Sequence, residues 1–186
     1  MFREWRVLGL DLSGSPKNPT GYAIVIDGDL VEYGIVHSDE EIEYIVRRLR
    51  PNIVVIDAPL SLSRGFREVD KEMLKRGFKL LPPGWKGMRK LVFRALKIKN
   101  YCERRGIKVL ETHPRSALKN TGLEDIRNAL SKFVNIGEDV ELEKLSKDTL
   151  DAIICATVGW AYANRKVEVI SAKDGKIFLL RKVANA

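Results

Sequence analysis

The sequence predicts an α/β domain. Its core would be a mixed five-stranded sheet, three antiparallel strands followed by two parallel ones, flanked by helices and finished by a C-terminal hairpin. Three observations predict it. Residues 4–37 hold three strand-like segments joined by short, turn-rich connections. Two later apolar runs, IVVI at 53–56 and KVLETH at 108–113, each follow a helical pattern. The chain has 186 residues, 45% of them hydrophobic, which suits one globular domain spanning 1–186 with a sizeable core.

The first two strands are read at 4–12 and 21–27. Val7, Leu8, Leu10 and Leu12 are apolar, and Tyr22 through Ile26 are β-branched, aromatic or small. The linker SGSPKNPTG is dense in Ser, Gly, Pro and Asn, as a tight antiparallel connection requires. A third strand at 30–37 follows the Asp27-Gly28-Asp29 turn. SDEEIEYIVRRLR at 38–50 reads as a helix, with Ser38 as N-cap, acids in the first turn and arginines in the last. The run IVVI is continuous rather than alternating, as in a strand covered on both faces. Helical patterns cover about 66–77 and 87–105, separated by LLPPGWKG. The fifth strand at 108–113 precedes helices at about 123–133 and 147–164. The tail KVEVISAKDGKIFLLRK reads as a hairpin turning at Asp174-Gly175. The later strands need crossover helices to run parallel to the first, and ligands of such sheets gather at the carboxyl ends of strands.

Composition narrows the function classes. No apolar run is long enough to span a bilayer, and MFREWRV lacks a signal-peptide core, so a cytoplasmic protein without a membrane partner is expected. Cys102 and Cys155 are not in metal or redox spacing and are read as buried, reduced thiols. Glutamine is absent while Lys, Arg, Glu, Ile and Val are abundant, a bias seen in proteins from hot environments (thermophiles). The net charge is +8, and residues 64–108 carry fifteen basic and four acidic residues, so this one segment holds the whole positive excess. A basic helical insertion at about 64–106 suits a phosphate-rich partner, though basic helix surfaces also occur without one. Lys90, Arg94 and Lys97 recur at helical spacing beside an apolar stripe of Leu91, Ala95 and Ile98, which predicts a basic rim for nucleic acid.

The carboxylates carry the chemistry. Asp11 sits inside an apolar strand, where an unpaired charge is costly. Asp57 ends IVVID, and Glu111 lies near the end of VLET. Asp148 and Asp151, three apart, share one face at the start of SKDTLDAIICATVGWAYA. Acids converging at strand ends would repel one another without cations. Hard divalent ions such as Mg²⁺ or Mn²⁺ resolve this through oxygen ligands, and a pair of them can clamp both oxygens of a phosphoryl transfer. Asp11 is therefore expected to bridge metal ions, and Glu111 or His113 could position water or take up a proton, His113 reading equally as a metal ligand or as a hydrogen-bonded histidine before proline. Arg67 and Asp70, one helical turn apart, either bind phosphate and orient the site or form a plain ion pair. Ser13 and Ser15 beside Gly14 read as phosphate-cradling or turn serines. Trp85 reads as a base-stacking residue or one buried under a lid.

The order of strands and acids resembles the ribonuclease-H-like superfamily. LGLDLSG…TGYAIV followed by DTLDAIICA resembles its Holliday-junction resolvases. The chain is more closely similar to the "domain of unknown function 429" family of predicted nucleases, through GLDLSGS at 9–15, IDAPL at 56–60, REVD at 67–70, ETHPR at 111–115 and KDTLDAIICA at 147–156. The resemblance spans nearly the whole chain. It implies that Asp11 and Asp57 are strand ligands and that Asp148, Asp151 or both contact metal. It also places Glu111 and His113 in one shared pattern and Arg67 and Asp70 in another. The resolvases usually carry glutamate where Asp57 stands. The function expected is metal-dependent hydrolysis of phosphodiester bonds in DNA or RNA, with a homodimer left open. The alternatives are a non-catalytic nucleic-acid-binding module and, less favoured by length, a phosphotransferase related to actin-like ATPases, which Asp11-Leu12-Ser13-Gly14 also resembles.

Overall fold

The computed structural model describes residues 4–183. β1 (Arg6–Asp11), β2 (Thr20–Ile26) and β3 (Asp29–Val36) form the antiparallel meander that the turn residues predict. α1 (Asp39–Leu49) begins in a capping box between Ser38 and Glu41 and returns the chain to β4 (Ile53–Ile56), which pairs parallel to β1. α2 (Glu68–Lys75) and α3 (Lys86–Glu103) lie between β4 and β5 (Lys108–Glu111), so the basic segment forms the crossover linking two parallel strands. α4 (Pro114–Thr121), α5 (Ile126–Ser131), a short 3-10 turn at Leu142–Lys144 and α6 (Lys147–Ala163) follow. β6 (Val167–Ala172) and β7 (Gly175–Leu180) form the terminal hairpin.

The sheet has seven strands, not five, in the order β3-β2-β1-β4-β5-β7-β6. The hairpin expected outside the sheet extends it, because β7 runs parallel to β5 and pairs with it at Glu111 and Ile177. Ile177, Phe178, Leu179 and Leu180 are all buried. Such a continuous apolar run marks a strand covered on both faces, as it does in β4. α4 also goes beyond the elements read from sequence. It is short, but Pro114 at its first position and Gly122 in the left-handed conformation (φ 78°) at its end are its signals. Both cysteines are free and buried. Among the described residues, no helix is long and apolar enough to cross a membrane.

Strand alternation divides the core between the two faces of the sheet. Leu8, Leu10, Ile24, Val54 and Ile56 face α1 and α3, where they meet Ile42, Ile45, Val46, Ala95 and Ile98. Val7, Ala23, Val25, Ile53 and Val55 face the opposite way, onto α6 and its neighbours. α6 is buried almost all round and lies close against β1 and β2. Glycines allow this approach. A Cβ on Gly9 would stand 2.3 Å from the Ala152 carbonyl oxygen and the Ala156 nitrogen, and one on Gly21 would stand 1.9 Å from the Asp148 carbonyl oxygen.

Candidate metal centre and its cleft

The same alternation aims the acids. Asp11 continues the phase of Val7 and Gly9, and Asp57 that of Ile53 and Val55, so both carboxylates lie on the α6 face. Leu10 pairs with Ile56, which sets Asp11 and Asp57 at the same level on neighbouring parallel strands. α6, seated on Gly9 and Gly21, brings Asp151 down onto them. Ligand oxygens of Asp11, Asp57 and Asp151 all lie within 4.8 Å of one another. Asp151 is buried, and the other two are partly buried.

Crowding is visible in the protonation equilibria. Burial, followed by the charges of Asp151 and Asp148, raises the Asp11 pKa from 3.8 to about 7. Asp57 is pushed up in the same direction by burial and then by Asp11 and Asp151. Among the described residues, the cation paired with this group is Lys147, whose ammonium lies 3.2 Å from Asp151 but is itself largely exposed. One lysine does not balance this set of carboxylates. An all-oxygen donor set held this tightly fits a hard divalent cation, which would return the carboxyls to their ionised form.

Asp148 lies outside the three-acid group. It stands in the first turn of α6, partly buried, close enough to Asp11 for its charge to oppose ionisation there. Glu111 is separated from the group for a reason of register. It pairs with Ile56 rather than standing level with Asp57, so the one-residue offset places it on the other phase of the sheet. There it meets Arg67. The Arg67 guanidinium, 2% exposed, donates to both Glu111 oxygens (2.5 and 2.9 Å) and to both Asp70 oxygens (2.7 and 3.0 Å). Burial opposes its charge, but the bonds to Glu111 and Asp70 outweigh that and keep it protonated. The terminal hairpin supports this cluster. The Asp174 carboxylate accepts from the Glu68 and Val69 amides at the start of α2, and its carbonyl accepts from Ser61 Oγ, which Arg67 also contacts. Arg67 and Asp70 are thus a buried ion-pair cluster, not a surface pair.

His113 precedes α4 and shares a 2.6 Å hydrogen bond with Ser116 Oγ through Nδ1. Burial, then the positive charges of Arg115 and Lys147, lower its pKa to about 4, so the ring is neutral near pH 7. Asp11, Asp57, Arg67, Glu111 and His113 line one cleft of about 320 Å³, whose other wall includes Leu80, Leu81, Met88 and Leu91. Sequence reasoning did not single out this apolar wall. It comes from the loop before α3 and the first turns of that helix, where Leu80, Met88 and Leu91 are partly buried and Leu81 is exposed.

No protein-family model and no curated protein matches the chain. Among solved structures, Thermus thermophilus RuvC is similar with a TM-score of 0.51 at 12% identity, over 86% of this chain and 96% of that one. T. thermophilus RuvC in complex with a Holliday junction substrate is similar with a TM-score of 0.50 at 13% identity and the same coverage. The fold is like that of RuvC. At these identities the likeness concerns the fold alone.

On this RuvC-like fold the three basic positions of α3 have different surroundings. Lys90 is exposed. Lys97 pairs with Asp39 at 2.8 Å. Arg94 does not join a basic rim: it is 7% exposed, pairs with Asp39 at 2.8 Å, and donates to the Ser13 and His37 carbonyls. The cause is the connection between β1 and β2, whose free carbonyls need a donor. Ser13 Oγ in turn bonds the Ser15 and Asn18 carbonyls, as a turn serine does. Trp85 is 58% exposed at the start of α3, so it is not buried under a lid.

Proposed function

We propose that this protein is a divalent-metal-dependent nuclease that hydrolyses phosphodiester bonds of nucleic acid, related to the "domain of unknown function 429" group. The observation that carries the reading is the convergence of Asp11, Asp57 and Asp151 to within 4.8 Å at the carboxyl end of β1 and β4. Asp11 and Asp57 come from rigid neighbouring strands and Asp151 from a helix locked on glycines, so the donors are preorganised. Mg²⁺ or Mn²⁺ bound there would supply Lewis-acid stabilisation of phosphoryl oxygens and a nucleophile at neutral pH.

In this reading the chain's own residues have separate tasks. Asp11, Asp57 and Asp151 would hold the ion, with Asp148 close by in the first turn of α6. Lys147, beside Asp151, offers a mobile positive charge to a substrate phosphate. Neutral His113, lining the same cleft, accepts a proton at Nε2 while Ser116 fixes Nδ1. The Arg67–Asp70–Glu111 cluster positions the end of β5, with both Glu111 oxygens occupied by Arg67.

The test is a cleavage panel of single-stranded, duplex, hybrid and four-way substrates, with Mn²⁺ and with chelator. Metal-dependent products that fall by orders of magnitude in Asp11→Asn and Asp151→Asn are expected. Cleavage that persists in both variants would point to a contaminant. Binding without any cleavage across the panel would replace the reading by a non-catalytic nucleic-acid-binding module.

A further inference from the structure

A second concave surface lies at the opposite end of the sheet. It is a groove of about 720 Å³ where β4 and β5 begin and where α1 and α3 end. Asp57 and Ile53 are separated by four residues of strand, so the groove and the acidic centre are about 13 Å or more apart. Its charged lining is entirely basic: Arg47, Arg50, Arg105 and Lys108, with no carboxylate among the described lining residues.

Two of these cations, Arg105 and Lys108, lie over aromatic faces, while Arg47 also pairs with Glu43. The Arg105 guanidinium lies 3.6 Å from the centroid of the Tyr101 ring and donates to the Tyr101 carbonyl at 3.0 Å. Arg47 donates to the hydroxyl of the same tyrosine at 3.2 Å, and its nearest carboxylate, Glu43, is 3.6 Å away. The Lys108 ammonium stands 5.1 Å above the Tyr162 ring. A ring face orients a cation without neutralising it, so the positive field remains available to an anion. Trp5 also lines the groove and presents a flat surface.

Arg50 supplies the second line of argument. It follows α1 with φ 49° and ψ 60°, the left-handed conformation that favours glycine. The following residue is Pro51, which further disfavours a helical-type backbone before it. Glycine would fit there without strain, yet an exposed arginine occupies the position and faces the groove. Cations near helix C-termini are favoured by the helix dipole, which accounts for Arg47 in the last turn of α1. That effect also favours a cation at Arg50, the C-cap of α1, and at Arg105 just after α3, but it does not call for Lys108 on a strand or for arginine rather than glycine in a left-handed backbone.

We propose that this groove is a nucleotide-binding site separate from the acidic centre, taking phosphate on Arg47, Arg50, Arg105 and Lys108 and a base on Trp5. Its volume falls within the range of pockets that enclose small ligands. The ligand is either a free nucleotide or one unit of a single strand. The site does not depend on the nuclease reading, since binding here needs no metal.

The full-length protein in EDTA, titrated into a labelled oligothymidylate and followed by fluorescence anisotropy, tests it. Mononucleotide and inorganic phosphate serve as competitors. Arg50→Gly removes the cation and relieves the backbone, so it should keep or raise the melting temperature while weakening binding about tenfold. Arg105→Gln with Lys108→Gln should weaken it further. Competition by mononucleotide assigns the site to free nucleotides, and resistance to it assigns the site to a strand. Wild-type affinity in Arg50→Gly and in the double variant would overturn the proposal. Inorganic phosphate displacing the probe as well as mononucleotide would overturn the role given to Trp5. Loss of cleavage with this binding intact would count only against the nuclease.

Discussion

Asp11→Asn should make the metal-free protein more stable, not less. A carboxyl whose pKa rises from 3.8 unfolded to about 7 folded penalises the ionised native state by on the order of 4 kcal/mol. Asp11 shares this repulsion with Asp57 and Asp151, and the cleft admits water, so removing one charge should recover about 2 kcal/mol. The sign follows from proton binding. Between the two pKa values Asp11 holds more protons in the folded state than in the unfolded chain, so its contribution to stability is full below about pH 4 and is lost as pH rises through about 7. Thermal unfolding in EDTA should therefore give nearly equal midpoints for wild type and Asp11→Asn at pH 4. The variant should be ahead by about 4–8 °C at pH 8.5. Saturating Mn²⁺ should reverse the order, because ligand binding stabilises only the protein that can hold the ion. Parallel pH profiles in EDTA would refute the crowding argument. Equal stabilisation of both proteins by Mn²⁺ would remove Asp11 from the metal site.

Gly9→Ala places a methyl group on the backbone of α6 at Ala152 and Ala156, and it should cost about 3 kcal/mol or more by urea unfolding and weaken Mn²⁺ binding with it. Arg67→Ala leaves Asp70 and Glu111 buried without their cation and should cost about 3–5 kcal/mol, part of which Asp70→Asn with Glu111→Gln should restore. Lys90→Gln should reduce salt-sensitive nucleic-acid retention with little change in melting temperature, whereas Arg94→Gln should lower the melting temperature by several degrees, because it unties the β1–β2 connection from Asp39.

Much of the fold could be read from local chemistry. The turn residues at 13–21, the Ser38 capping box and the continuous IVVI run each state a local preference, and the structure follows them. The same holds for Asp11 and Asp57, whose places at the ends of apolar strands mark the site before any contact is known. Periodicity could not supply register. Whether Glu111 stands level with Asp57 or one residue short depends on how β5 pairs with β4, and that single offset sends it to Arg67 instead of the metal centre. Nor could charge spacing supply burial. Arg94 and Lys90 lie on one helix at an interval of four, yet only the connection packed across α3 makes one of them internal. The terminal hairpin joins the sheet through pairing across more than sixty residues of chain, a contact that no local pattern encodes. The sequence by itself determined which residue types were present for chemistry and which elements would carry them. Tertiary structure decided which of them meet, because pairing register and close helix approach are set by long-range packing.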